Sequence, residues 1–218
     1  MLVRSMSEPL ASPGMRFGVV LLAAGASTRM GRPKLLLPWR ETSVIGHLVG
    51  QWRALEAAQI AVVCAAGDGA MATELDRLAF PAADRLENTD PSRGMFSSIL
   101  CAVGWPGWQP EISHWVISLG DQPHVQERTL QALIAFGASH PTTVCQPGWA
   151  GKARHPVWLP AAAFCRLSRC AGGTLRSFLE LEAVALCEVD DPGLEIDLDE
   201  PGDYARLENV WRPTLLSD

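Results

Sequence analysis

Residues 17–34 read FGVVLLAAGASTRMGRPK, and the first seven of them decide the fold. Phe17 to Ala23 is an unbroken apolar run, rich in Val and Leu, that stops at Gly25. A run this short with no polar alternation suits a strand buried on both faces, as strands of parallel sheets are. Ala24 to Pro33 is then a loop of small, polar and basic residues leaving the strand's carboxyl end.

Outward from that strand the pattern repeats. The spacing of Val44, Leu48, Trp52 and Leu55 predicts a helix over residues 44–57, with Thr42 or Ser43 at its N-cap. Residues 60–65 and 115–119 (WVISL) read as two more buried strands, and residues 85–88 as a short one. Helices are expected over residues 71–78, 96–103, 127–136 and 175–181, with a closing helix over 203–209. Residues 142–146 and 155–159 read as strands around Gly148 and Gly151, in a hairpin arrangement, and 183–189 as a late strand. Strands alternating with helices imply an α/β fold: a Rossmann-like, mostly parallel sheet with helices on both faces. In such sheets ligands bind beyond the carboxyl ends of the strands. The loop at 23–34 and the turn Gly120-Asp121-Gln122-Pro123 both lie there.

Length and composition bound the remaining choices. At 218 residues the chain suits one domain, expected over 16–211, with a floppy extension at 1–15 and a tail at 212–218. Twenty-four acidic residues against 18 basic ones give a net charge of −6, which argues against a general binder of nucleic-acid backbones. No segment reaches the ~18 consecutive apolar residues of a membrane span, and residues 1–15 lack a signal-peptide apolar block, so a cytoplasmic protein is expected. The six cysteines form no C-x-x-C pair, which fits reduced thiols without structural zinc.

The loop has the chemistry of a triphosphate cradle. Ala23, Ala24, Gly25, Ala26 and Ser27 allow close backbone approach, and Gly25 and Gly31 tolerate positive φ. Arg29 offers a planar fork, Lys34 a compact point charge, and Arg32 a third positive charge. Neither the P-loop G-x-x-x-x-G-K-[ST] nor the dinucleotide G-x-G-x-x-G is present. Glycine and arginine alone favour an ordinary strand-to-helix turn with solvated basic residues; the whole string in this position favours phosphate binding.

Leu22 to Lys34, as L-A-A-G-x-S-x-R-M-G-x-x-K, resembles the signature of the MobA-like nucleotidyltransferase superfamily, and within it the molybdenum cofactor cytidylyltransferases. The resemblance spans about residues 17–209 and implies a nucleotide-diphospho-sugar transferase type of fold. Ala24 matters, because guanylyl-transferring relatives carry L-A-G-G there. The resemblance implies that Leu22, Ala23, Ala24, Gly25 and Lys34 hold the nucleotide, and that Arg29 and Lys34 steady the leaving pyrophosphate.

Other stations follow the same resemblance. Gly120-Asp121-Gln122-Pro123 is by itself an ordinary turn, but it matches the family's metal motif, which implies Asp121 as a ligand for Mg2+. The segment DLDEPGD, residues 197–203, is similar to the family's late acidic segment; Asp197 is the first choice for a second metal ligand and Asp199 the second. Asp203 also suits the N-terminus of the following helix. In NTDPSRGMFSSI, residues 88–99, the resemblance implies that Asn88, Gly94 and Ser98 face the base and ribose.

Two stations depart from the family. Residues 151–157 (GKARHPV) resemble a segment placed near the acceptor, but Ala153-Arg154 replaces a glycine-containing form. His155 there suits either an acceptor anion or a strand-start structural role. Gly172-Gly173-Thr174-Leu175-Arg176 has Gly173 where the family has Asp; Arg176 remains as a contact for a pterin phosphate.

The reaction implied is transfer of CMP from CTP to the phosphate of molybdenum-molybdopterin, with release of pyrophosphate. The partners implied are CTP or another nucleoside triphosphate, a phosphorylated pterin acceptor, and a molybdenum hydroxylase as client. Neither nucleic acid nor membrane is expected as a partner. Alternatives on the same fold are a guanylyltransferase or a sugar-phosphate nucleotidyltransferase. From another class, a non-catalytic carrier or maturation factor for the molybdenum cofactor also fits.

Overall fold

Strand β1 (Phe17–Ala23) is buried along its whole length, as its uninterrupted apolar sequence requires. It lies between two parallel partners, β4 (Gln59–Ala65) and β6 (His114–Leu119), with Val20 opposite Ala61 on one side and Ile117 on the other. The computed structural model describes residues 15–170 and 173–211. The expected extension at 1–15 falls outside them but for its last residue, and the tail at 212–218 does so entirely.

The other strands are β2 (Pro38–Trp39), β3 (Thr42–Ser43), β5 (Arg85–Asn88), β7 (Val144–Trp149), β8 (Lys152–Ala153), β9 (Val157–Pro160) and β10 (Val184–Glu188). The helices are α1 (Val44–Ala54), α2 (Gly69–Arg77), α3 (Met95–Val103), α4 (Glu127–Ser139), α5 (Ala161–Arg166), α6 (Leu175–Leu179) and α7 (Pro201–Trp211). The main sheet runs β10-β7-β9-β6-β1-β4-β5, with β8 paired to β7 and a separate β2-β3 ribbon. Its pairings are parallel except around β9, which is antiparallel to β6 and β7, and β8, antiparallel to β7.

Alternate residues of β1 feed two cores. Val19 and Leu21 pack with Leu48 and Trp52 of α1 and Leu130 and Leu133 of α4. Val20 and Leu22 pack on the other face with Phe96 and Ile99 of α3, Phe164 of α5 and Phe178 of α6. Helices therefore cover both faces, and the expected architecture stands. Among the described residues no helix is long and apolar enough to cross a membrane.

Local chemistry corrects several element bounds. Helix α1 stops at Ala54 rather than 57, because Glu56 turns left-handed (φ 61°) and the Ala57 amide closes onto the Trp52 carbonyl at 3.1 Å. That is a six-to-one helix closure, which satisfies a terminal carbonyl. Ser43, not Thr42, caps the helix start, its Oγ accepting from the Gly46 amide at 3.1 Å. The hairpin lies between β7 and β8, where Ala150 and Gly151 both take positive φ, as a tight two-residue turn needs.

The close approach of two strand ends positions the site. A Cβ on Gly120 would lie 2.5 Å from the carbonyl oxygen of Leu22. Only glycine lets the end of β6 come that near the end of β1, so the phosphate-type loop and Asp121 share one edge. Gly120→Ala should therefore destabilise the fold by about 1–3 kcal/mol in chemical denaturation, through overpacking against backbone that cannot yield. A loss below about 0.5 kcal/mol would show that the strand ends are free to separate.

Candidate functional site

The loop after β1 is pinned from both ends by its own sequence. Met30 is buried in the core between the exposed Arg29 and Gly31, and Leu35 and Leu37 are buried just beyond Lys34. The loop turns at Ser27 (φ 51°) and Gly31 (φ 69°), and the Gly31 amide bonds the Ser27 carbonyl at 3.2 Å. Ser27 rather than Gly25 therefore takes the left-handed backbone. A Cβ on Gly25 would meet nothing within 4 Å, so that glycine leaves open space in front of the loop. Ser27 Oγ also accepts from the Lys34 amide at 3.2 Å, tying the loop's two halves together.

Lys34 sits at the centre of an ion cluster. Its Nζ lies 2.8 Å from Asp121 Oδ2 and 2.8 Å from Asp199 Oδ1, while Arg29 reaches Asp199 Oδ2 at 2.6 Å. Three distant segments thus meet: the loop after β1, the turn after β6 and the stretch before α7. Burial opposes the charge on Lys34, but its two carboxylate partners outweigh burial and hold its pKa above the ordinary value. Asp199 is held below the usual carboxylate range, first by its hydrogen bond from Lys34. Arg32, the third basic residue of the loop, lies over the ring of Tyr204, 5.6 Å from its centroid.

Asp197 behaves differently from Asp199. Its Oδ1 accepts from Gln122 Nε2 at 2.9 Å, and the Leu198 amide donates to the Asp121 carbonyl at 2.9 Å. The residue as a whole is exposed, yet desolvation of its carboxylate, and then the charge on Asp121, hold its pKa above the ordinary value. Desolvation first and the neighbouring carboxylate second thus leave this group short of compensating positive charge. Among the described residues no three His, Cys, Asp or Glu side chains form a metal-holding group. A magnesium ion at a nucleotide site needs only one or two carboxylates, because phosphates and water complete its octahedron. Asp121 and Asp197 fit that demand. Asp203, in the same segment, accepts from the Glu200 amide at 2.9 Å and so supports the start of α7.

One cavity opens onto this cluster, and a second shares a lining residue with it. The first, of about 470 Å³, is lined by Leu22, Ala24, Gly25, Lys34, Gly94, Ser98 and Asp121 among others. The other, of about 550 Å³, is lined by Gln146, Ala153, His155, Leu175, Arg176 and Leu186 among others. Met95, at the start of α3, belongs to both walls. The structure thus brings most of the expected nucleotide residues to one cavity and both expected acceptor residues to the next.

Four expected residues line neither cavity: Asp197, described above, and Ala23, Arg29 and Asn88. Ala23 buries its side chain in the core, and Arg29 stands outside the cavity wall on Asp199. Asn88 is buried, with its amide nitrogen donating to Ser97 and Ser98 at 2.7 and 2.9 Å and its oxygen accepting from the Asp90 amide. It shapes the loop that presents Gly94 (φ 85°) and Ser98. His155 is half-buried, and burial pushes its imidazole down to about 4. It is neutral near pH 7 and can offer a hydrogen bond but no charge. Gly172 lies outside the described residues; Gly173 takes φ 65°.

Residues 19–189 match the MobA-like NTP transferase domain, and the chain belongs to that family. The structure is similar to that of Rv0371c from Mycobacterium tuberculosis, at 28% identity and a TM-score of 0.72 over 89% of this chain and 99% of that one. A second structure of Rv0371c, in complex with manganese, gives 25% identity and a TM-score of 0.66 over 89% and 99%. At 17% identity, the molybdopterin-guanine dinucleotide biosynthesis protein A of Archaeoglobus fulgidus (TM-score 0.64, 88% of this chain and 97% of that one) shares the fold. The chain is also 31% identical over 169 residues to the bifunctional protein GlmU of Paracidovorax citrulli, covering 74% of this chain but about a third, 32%, of that protein. The fold is of the nucleotide-diphospho-sugar transferase type.

The unbalanced Asp121–Asp197 pair has a stability consequence. An aspartate whose folded pKa is raised favours the native state below its unfolded pKa and loses that benefit as pH rises through the folded value. In a metal chelator, Asp197→Asn should therefore melt higher than the natural chain at pH 7, with the gain vanishing near pH 3. A lower melting temperature at pH 7 would contradict the electrostatic account.

Proposed function

We propose that the chain transfers CMP from CTP to the terminal phosphate of a molybdopterin-type acceptor, releasing pyrophosphate. The observation that carries the proposal is the pair of adjoining cavities. One fronts the basic loop, with Lys34 and Asp121 in its wall; the other holds His155 and Arg176; Met95 lines both. A transfer between two bound substrates needs that juxtaposition, because alignment itself removes much of the barrier.

The triphosphate lies along the loop, where Gly25 and Ala24 leave room for its oxygens. Lys34 and Arg29, held ready on Asp199, turn to the phosphates and neutralise the charge that grows on the leaving pyrophosphate. An acceptor phosphate oxygen forms a bond to the α-phosphorus as the bond from that phosphorus to the bridging β-phosphate oxygen breaks. Asp121 and Asp197 would hold a divalent cation, which would supply further positive charge to the phosphate oxygens; the manganese bound by Rv0371c supports a divalent ion here. Gln122 fixes the Asp197 carboxylate from behind. Neutral His155 and cationic Arg176 orient the acceptor across an otherwise largely apolar cavity. Ala24 favours CTP over GTP.

Asp121→Asn should fold normally and lose most pyrophosphate release when Mg2+, CTP and the molybdenum-bearing pterin are supplied. Lys34→Ala should lower kcat about 100-fold, the order seen on removing one charge-stabilising donor. Natural activity in folded Asp121→Asn would overturn the metal assignment. Absence of any pyrophosphate release from the natural chain would favour a carrier role instead.

A further inference from the structure

We propose that Asp191, which takes no part in the mechanism above, is a positioning residue that fixes Asp197 against Asp121. The proposal rests on the metal reading of those two carboxylates. Asp191 has no solvent exposure at all. Its Oδ2 accepts from the Gln126 amide at 3.0 Å and from Thr129 Oγ1 at 2.7 Å. Its Oδ1 accepts from Gln126 Nε2 at 3.2 Å and from the Gly193 amide at 3.1 Å. Four neutral donors, three of them more than 60 residues away in sequence, thus converge on one buried carboxylate. A carboxylate taken out of water is tolerated only where hydrogen bonds replace the lost water, so the arrangement depends on these donors.

These bonds are the far end of a longer clamp. His124 Nε2 donates to the Gly193 carbonyl at 2.9 Å, and His124 is itself buried. Gln122 then holds Asp197, and the Leu198 amide holds the Asp121 carbonyl. The partners run in opposite directions along the two segments: 121 with 198, 122 with 197, 124 with 193, and 126 and 129 with 191. From Asp190 to Glu200 the chain has only the short 3-10 turn Pro192–Glu195 for regular structure. Its register against the turn after β6 is set by these polar contacts and by the burial of Leu194 and Leu198. Asp121 and Asp197 repel each other when both are ionised, so the near end of the clamp is loaded and the far end must hold it. Releasing Asp191 lets the acidic segment drift and loosens the carboxylate pair.

The test separates positioning from mere stability. Asp191→Asn keeps the shape but turns an amide towards a donor, and Thr129→Val removes the shortest bond with little change of volume. Mn2+ binding in the presence of CTP is followed by electron paramagnetic resonance, well below each variant's melting temperature, with Asp121→Asn as reference. The expected result is a Mn2+ dissociation constant about tenfold weaker in Asp191→Asn, the order found when residues supporting metal ligands are altered. Thr129→Val should lose less, and kcat should fall more than KM for CTP rises. Natural Mn2+ affinity in folded Asp191→Asn, with only a lower melting temperature, would overturn the proposal. Should that variant not fold, natural affinity in Thr129→Val would do the same. If the natural chain and Asp121→Asn both bind no Mn2+, the metal reading falls and this inference with it.

Discussion

A lysine ammonium held between two aspartates organises this molecule's working edge. Lys34 is nearly buried, and a buried charge persists only with partners. Asp121 and Asp199 supply them from positions 87 and 165 residues further along the chain. The pairing closes the fold on itself at the carboxyl ends of β1 and β6, where Gly120 already forces the two strand ends together. It also keeps a cation ready at the point where a triphosphate would need one. For the proposed nucleotidyl transfer, positioning and charge neutralisation are the main demands, so a preformed cation is more useful than a reactive nucleophile.

The two aspartates of the DLD segment divide the labour. Asp199 faces both cations and is held well ionised by them, while Asp197 faces Asp121 and is left short of positive charge. The sequence spacing allowed either as the partner of Asp121. With Asp199 taken by Arg29 and Lys34 and Asp197 held by Gln122, the proposed function gives Asp197 the metal side and leaves Asp199 to organise the loop. Arg154, which departs from the family's glycine, bonds Glu195 in the same region and donates its backbone amide to Pro147. Its side chain serves the wall of the fold rather than the acceptor cavity, and Ala153 lines that cavity in its place.

Much of the fold was legible because its signals are local. The apolar run of β1, the loop that ends it and the alternation of strands and helices all lie within a few residues of one another. The antiparallel course of β9 against β7 was legible in the hairpin reading, but its place between β7 and β6 was not, since a strand's composition does not encode its neighbours. Strands β2 and β3 and helix α5 are too short to show periodicity. Around the site, the loop residues and Asp121 were marked by pattern. Asn88 carried the same kind of mark, although its hydrogen bonds are spent inside its own loop. Asp191 and His124 carried no mark, and Gln122 was marked only as part of its turn motif, because most of their partners lie 62 to 75 residues away and only the folded chain brings them together.

The most direct measurement of the central claim, that the Lys34 loop cradles a nucleoside triphosphate, is the melting temperature of the chain with Mg2+ and CTP, GTP, ATP or UTP in turn. Ligand at ~100 times its Kd stabilises a native state by ~2.7 kcal/mol, which is a shift of several degrees for a domain of this size. The account predicts the largest rise with CTP and its loss in Lys34→Ala. Melting temperatures unmoved by all four nucleotides, or raised equally in Lys34→Ala, would contradict it.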